Sequence, residues 1–390
     1  MRVLYILHST GMGGATISFI NMIEGLNKKG YKIYIVAPNF DETFTTNVSR
    51  FSSGNFRVPL VCSICPKPDG FFGFIKFCMF FCPRWILQCY KKKKSLNALS
   101  SIVEKIKPDL IHTNTGVIHE GFICAKQVGI PHIWHLREYQ DNDFNWHVMP
   151  SIRLFRKQLK ESYVISITKD ILNHFRMRED EKHRVIYNGV FRRADAVIAY
   201  PKETYFLCAS RVSASKGIKD VIVAFARVHS NFPQYKLRIL GFGDDCYISE
   251  MKALCADLMC SDSVFFEGYH QNVKPFMVKA KALIVASYYE GFGRMTAEAS
   301  FCGCLVIGRN TGGTKEILDE IGGLQFSDVV GLEKMMIKVA SENEDYYKII
   351  IETAQEKALN LYSVEKNVEE IDQFYNYIIQ KSSKVQLVNA

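Results

Sequence analysis

Two carboxylates eight positions apart, Glu290 and Glu298, stand in the run Ser287-Tyr288-Tyr289-Glu290-Gly291-Phe292-Gly293-Arg294-Met295-Thr296-Ala297-Glu298. The run follows an apolar stretch and opens a helical pattern. Gly291 and Gly293 let backbone approach a ligand closely. Amides around Gly293–Thr296 would face out of a helix N-terminus, where the dipole favours phosphate. A carboxylate can only accept hydrogen bonds, which suits sugar and ribose hydroxyls rather than phosphate oxygens. An acid near a helix start also serves the dipole; that explains Glu290 in part and Glu298 poorly.

A second run, Arg211-Val212-Ser213-Ala214-Ser215-Lys216-Gly217, places two cations and a glycine in a loop between a strand and a helix. Such a pair suits a leaving diphosphate, whose developing charge preorganised cations stabilise. A third, Thr10-Gly11-Met12-Gly13-Gly14-Ala15, is a glycine-rich turn after the first strand. It is not the dinucleotide fingerprint: position 16 is Thr, and the second strand ends in Ala37-Pro38-Asn39 with no acid for a ribose. It remains a turn that lets a phosphate or an acceptor come close.

These loops need a scaffold, and strand and helix patterns alternate through the chain, which predicts α/β architecture with parallel sheets. Strands are expected at Val3–Leu7, Tyr31–Ala37, Asp109–Thr113, His132–Leu136, Tyr163–Ile167 and Arg184–Tyr187, with helices at about Ala15–Lys29 and Ile118–Val128. Periodicity weakens over Phe191–Lys202, and the alternation restarts with Thr204–Ala209, Lys236–Leu240, Val264–Glu267, Ala282–Ala286 and Leu305–Ile307. Amphipathic helices fill the end of the chain, the last over Ser363–Ile379. At 390 residues the chain is long for one core and comfortable for two. The expected division is 1–195, 196–362 and a C-terminal helix in 363–390. Two facing halves put the largest cleft between them.

Charge is uneven. Residues 1–200 hold 28 Lys and Arg against 16 Asp and Glu, and residues 201–390 hold 21 against 24. The basic first half favours an anionic partner. Phe71, Phe72, Phe74, Phe77, Phe80, Phe81 and Trp85 are followed by Lys91–Lys94. Lys76, Pro83 and Arg84 interrupt this segment, so it does not read as a membrane span. It reads either as an interfacial segment with lysines above the aromatics or as a core-packed helix with a solvated lysine tail. No RNA-binding motif is present, and the aromatics are too continuous for spaced base stacking. No signal peptide is read at the N-terminus, and twelve scattered Cys suit free thiols in a reducing cytosol. Cys62 and Cys65 form a CxxC pair, with Cys78 and Cys82 downstream, whose spacing fits zinc poorly.

Nearly end to end, the chain resembles the retaining glycosyltransferases of family 4 (glycosyl transferases group 1). Glu290 and Glu298 are similar to that family's E-x7-E pair, and the likeness continues to Glu316-Ile317. Arg211 and Lys216-Gly217 resemble its diphosphate-binding cations, and Gly13-Gly14 its N-terminal glycine pair. Ile111-His112-Thr113-Asn114, Asn188-Gly189 and Gly241-Phe242-Gly243 fall where the family pattern puts them. The resemblance implies a GT-B fold, with two Rossmann-like domains facing a central cleft and a last helix crossing back to the first domain. It implies Glu290 and His135 as catalytic residues. It implies a donor set of Gly13, Gly14, Arg211, Lys216, His270, Gly293, Arg294, Met295, Thr296 and Glu298. It implies hexosyl or related glycosyl transfer, with the nucleotide sugar as substrate and no cofactor or metal. Asp141-Asn142-Asp143, although of DxD form, then reads as a solvated turn. The acceptor would be a glycan or a lipid-linked molecule in cell-surface polysaccharide biosynthesis. The protein would be cytoplasmic, placed peripherally on the anionic inner face of the plasma membrane, with no nucleic-acid partner. Three departures touch ligand-facing positions: Arg294 replaces an aliphatic residue, Leu136-Arg137-Glu138 follows His135, and Ala15-Thr16 follows the glycine pair. A sugar-nucleotide epimerase or phosphorylase of the same fold, and a non-catalytic peripheral membrane protein, are the competing readings.

Overall fold

The computed structural model describes residues 1–67, 70–141 and 146–388, with side chains described except at 71–86, 344 and 384–388. Two compact units emerge: Met1–Gly189 with Asn367–Ala390, and Val190–Lys366. The sequence places these divisions after 195 and after 362, so the first unit closes six residues earlier and the last helix joins it four residues later.

The first unit carries strands β1 (Arg2–Ile6), β2 (Lys32–Ala37), β3 (Ser52–Arg57), β4 (Ile64–Pro66), β5 (Leu110–Thr113), β6 (His132–Leu136), β7 (Trp146–Val148), β8 (Tyr163–Ser166) and β9 (His183–Val185). Seven of them form one sheet in the order β3-β2-β1-β5-β6-β8-β9, and all its pairings are parallel. β4 and β7 pair antiparallel outside it. β1, β5 and β6 are buried along almost their whole length. Strands covered on both faces need such continuous apolar runs, which is why they are legible in the sequence. β3, with residues Ser52-Ser53-Gly54-Asn55-Phe56-Arg57, has no such run; it is an edge strand, held by its pairing to β2.

A helix over Gly70–Ile106 spans the segment read as interfacial or core-packed. The side chains of Phe71–Trp85 lie outside the described residues. Of the four lysines, Lys91, Lys93 and Lys94 are exposed, but Lys92 turns inward and donates to Ser63 Oγ at 3.2 Å. Burial pulls its ammonium below the ordinary lysine value. The lysine run is therefore not a uniform solvated tail. Among the described residues, no helix is long and apolar enough to cross a membrane.

The helix Val364–Val388 belongs to the first unit from Asn367 onward. Val368 fills the space above Gly25, where a Cβ would lie 2.4 Å from Val368 Cγ2. Asp372 accepts from Lys29 Nζ at 2.8 Å and from the Tyr31 hydroxyl. The Tyr375 hydroxyl is bonded to His112.

The second unit carries β10 (Glu203–Ala209), β11 (Lys236–Leu240), β12 (Val264–Gly268), β13 (Ala280–Val285), β14 (Val306–Arg309) and β15 (Leu324–Phe326). They form a parallel sheet in the order β12-β11-β10-β13-β14-β15. One face packs Phe206, Ile239 and Ile284 against Ile218, Phe225 and Met336. The other packs Leu207 and Leu283 against Ala299 and Leu318.

Candidate functional site

In the second unit, β10 and β13 are neighbours, so the loops leaving their carboxyl ends emerge side by side. Open parallel sheets take ligands at that edge. The Tyr288 amide donates to Ser215 O at 3.0 Å and ties the two loops together. Gly217 sits at φ +66°, and a Cβ there would lie 2.3 Å from Ala286 O. No side chain fits this crossing, which fixes the residue type beside Lys216.

Lys216 Nζ donates to Glu290 Oε1 at 2.6 Å, and Ser287 Oγ donates to the same oxygen at 2.9 Å. The sequence assigns these two charges to different parts of a donor; here they hold each other, both partly buried. The Gly313 amide donates to Glu290 O at 2.8 Å, which brings the start of helix Gly312–Ile321 against the same loop. Gly293, at φ +81°, caps helix Arg294–Phe301, and a Cβ there would stand 3.1 Å from Thr314 N. The Thr296 and Thr314 hydroxyls beside this crossing are buried without a hydrogen-bond partner.

Other members of the predicted donor set are placed differently. Arg294 pairs with Glu298 one helical turn on, and its NH2 also donates to Val190 O at 3.4 Å. Burial raises the Glu298 carboxyl above its ordinary value, and the Arg294 charge opposes that rise. Met295 packs on the apolar layer of Leu207 and Leu283. Arg211 is exposed; its neighbour Val212 donates to Phe242 O at 2.7 Å, which fixes this loop to the one after β11. His270 follows β12, edge-on to Phe276 with ring centroids 4.6 Å apart.

A brace not anticipated from the sequence stands behind the Glu290 loop. Buried Arg309, at the end of β14, donates to Ala286 O at 2.9 Å, pairs with Asp220, and lies 4.4 Å from the centre of the Tyr288 ring. An arginine at a strand end carries no pattern in one dimension; only the fold sets it against this loop.

In the first unit, Gly13 is an extended N-cap for helix Gly14–Lys28. Gly13 and Gly14 are both exposed, and Thr16 Oγ1 donates across the turn to Gly11 O at 2.7 Å. His135 is not exposed at all. It lies inside β6, with Nδ1 3.1 Å from His112 Nε2. His112 Nδ1 is in turn 2.6 Å from the Tyr375 hydroxyl. Burial, reinforced by the Arg137 charge, holds both imidazoles well below the usual histidine range. Of its two ring nitrogens, Nδ1 is engaged within the unit and Nε2 is buried without a hydrogen-bond partner. The cation at the carboxyl end of β6 is Arg137, whose Nε and NH1 donate to Asn114 Oδ1 at 2.8 Å and Asn188 Oδ1 at 2.7 Å.

Asn142 and Asp143 of the DxD-like segment lie outside the described residues; Asp141 accepts from His174 at 2.9 Å. Among the described residues no cluster of three or more His, Cys, Asp or Glu is placed to hold a metal. Cys62 is exposed and Cys65 half-buried; the side chains of Cys78 and Cys82 are outside the described residues.

Two family models divide the chain almost end to end: Glycosyltransferase Family 4 matches residues 12–194, and Glycosyl transferases group 1 matches residues 193–356. The chain belongs to glycosyltransferase family 4. It has the GT-B fold. A poly(glycerol-phosphate) alpha-glucosyltransferase of Bacillus subtilis is 29% identical over 158 residues, 40% of this chain but only 23% of that protein's length. An uncharacterized glycosyltransferase of Methanocaldococcus jannaschii is 24% identical over 80% of this chain and 81% of its own. Among solved structures, HepE of Anabaena in complex with UDP superposes with a TM-score of 0.76 at 19% identity, over 96% of this chain and 99% of that one.

For this glycosyltransferase, the second unit thus concentrates cations, a carboxylate and two helix N-termini where the sheet ends. Lys216 and Glu290 are preassembled in contact.

Proposed function

We propose that this glycosyltransferase moves a hexosyl or related sugar from a nucleotide-sugar donor to a glycan or lipid-linked acceptor with retention of anomeric configuration, without a metal, in cell-surface polysaccharide biosynthesis. The observation that carries the reading is the Lys216–Glu290 contact of 2.6 Å at the paired ends of β10 and β13. Arg211, Lys216 and the amides at Gly293 would take the diphosphate, whose charge grows as the sugar leaves. Glu290, freed from Lys216 by the donor, would accept hydrogen bonds from sugar hydroxyls, and Glu298, paired with Arg294 one turn into the helix, would accept from another part of the same donor. The alpha linkage in the name of the Bacillus relative and the UDP bound by the Anabaena protein support this choice of donor and outcome.

The first unit would hold the acceptor. Its basic balance, with Lys91, Lys93 and Lys94 exposed, supports docking on an anionic membrane surface, each lysine contributing about 1 kcal/mol near such a surface.

Purified Lys216→Ala and Glu290→Ala proteins, compared with wild type for sugar transfer from a panel of nucleotide sugars, test the assignment. Loss of one strong transition-state contact lowers the rate about 10²–10³-fold. Near-normal turnover by either folded variant would overturn it.

A further inference from the structure

The buried polar chain of the first unit has a direction, and Arg137 sets it. A guanidinium only donates, so His135 Nδ1, 3.4 Å from Arg137 NH2, is the acceptor of that contact. His112 Nε2 lies 3.1 Å from the same nitrogen. With no proton on His135 Nδ1, His112 Nε2 carries one and donates. A neutral imidazole holds a single ring proton, and burial keeps both rings neutral. His112 Nδ1 is therefore bare and accepts from the Tyr375 hydroxyl at 2.6 Å. The Tyr375 oxygen accepts in turn from Tyr5 at 3.2 Å. The opposite order would set a His135 N–H against an Arg137 N–H.

We propose that Tyr375, brought into this unit by the last helix, is a positioning residue for Arg137. Arg137 sets the proton order, and Tyr375, by donating to His112 Nδ1, holds the two rings that present His135 Nδ1 to the guanidinium. With Asn114 and Asn188 holding Nε and NH1, the guanidinium plane is fixed at the carboxyl end of β6. The purpose of holding it there rests on the reading of this unit as acceptor-binding; the proton order does not.

The test is long-range proton–nitrogen spectroscopy of the full chain labelled with ¹⁵N at histidine and arginine, with His112→Gln and His135→Gln supplying assignments. The wild type is expected to show both imidazoles neutral at pH 7, each with its proton on Nε2, and a slowly exchanging Arg137 Nε–H. Tyr375→Phe shifts the His112 Nδ1 resonance and speeds exchange at Arg137. Tyr5→Phe, equally buried but one step further from the guanidinium, leaves the His135 and Arg137 signals in place. A proton on Nδ1 of either histidine in the wild type overturns the order, whether or not Tyr375→Phe folds. Unchanged His112 and Arg137 signals in folded Tyr375→Phe overturn the positioning role. Consumption of UDP-glucose by the same samples tests the functional reading separately, since the spectra require no turnover.

Discussion

Arg294 and Glu298, both expected at the donor, also form an ion pair with each other. The pair is mostly enclosed, with side-chain exposures of 18% and 12%. Removing one partner of a buried pair costs about 3–5 kcal/mol, because the other charge stays uncompensated. Glu298 has a folded value above its unfolded one. The folded state then binds more protons over that interval, so this carboxyl subtracts stability as pH rises through it. Arg294 opposes the effect. Arg294→Met should therefore be less stable than wild type by a margin that is small at pH 5 and grows towards pH 8. Urea unfolding at the two pH values measures it; equal margins would contradict the account. The Glu pair and the Arg211–Lys216 loop were legible because their spacing is local. The Lys216–Glu290 contact was not, since 74 residues separate the partners and only the adjacency of β10 and β13 joins them. The partners of His135 are hidden for the same reason: 23 residues separate it from His112, and the pairing of β5 with β6 joins them.

At the scale of elements, the last helix is fitted to the first unit by shape. Gly25 leaves no room for a methyl beneath Val368. Gly25→Ala should loosen the helix 364–388 and speed amide exchange within it, at a cost of roughly 1–3 kcal/mol for overpacking. Adding Val368→Ala returns the space and should recover most of that loss. Failure of the double variant to recover would show that Gly25 matters for another reason. The sequence places this helix, most strands of both sheets and the glycine turns within a few residues. Its misses are physical: β3 and β15 are edge strands stabilised by pairing rather than by apolar runs, and the short β4–β7 pair forms only because the fold brings distant segments together. The same limit applies to Lys92, whose inward turn depends on Ser63.

For the whole molecule, the two units should differ in their acid response. His112, His119, His132 and His135 are all buried in the first unit and titrate far below the ordinary value, His119 and His132 at about 3. On unfolding they regain the ordinary value near 6.5. Below it the unfolded chain binds more protons, so stability is full above about pH 6.5 and falls with acidification at up to about 1.4 kcal/mol per histidine per pH unit. Amide exchange between pH 7 and pH 5 should show the first unit losing protection ahead of the second; parallel loss would count against buried neutral histidines as the cause.

On the proposed function, the second unit binds the donor diphosphate through Lys216 and its sugar through Glu290. Calorimetric titration of UDP into wild type, Lys216→Ala and Glu290→Ala separates the two roles in a single experiment. Lys216→Ala should weaken UDP tenfold or more, while Glu290→Ala should bind UDP as well as wild type. Equal UDP affinity in wild type and Lys216→Ala would contradict it.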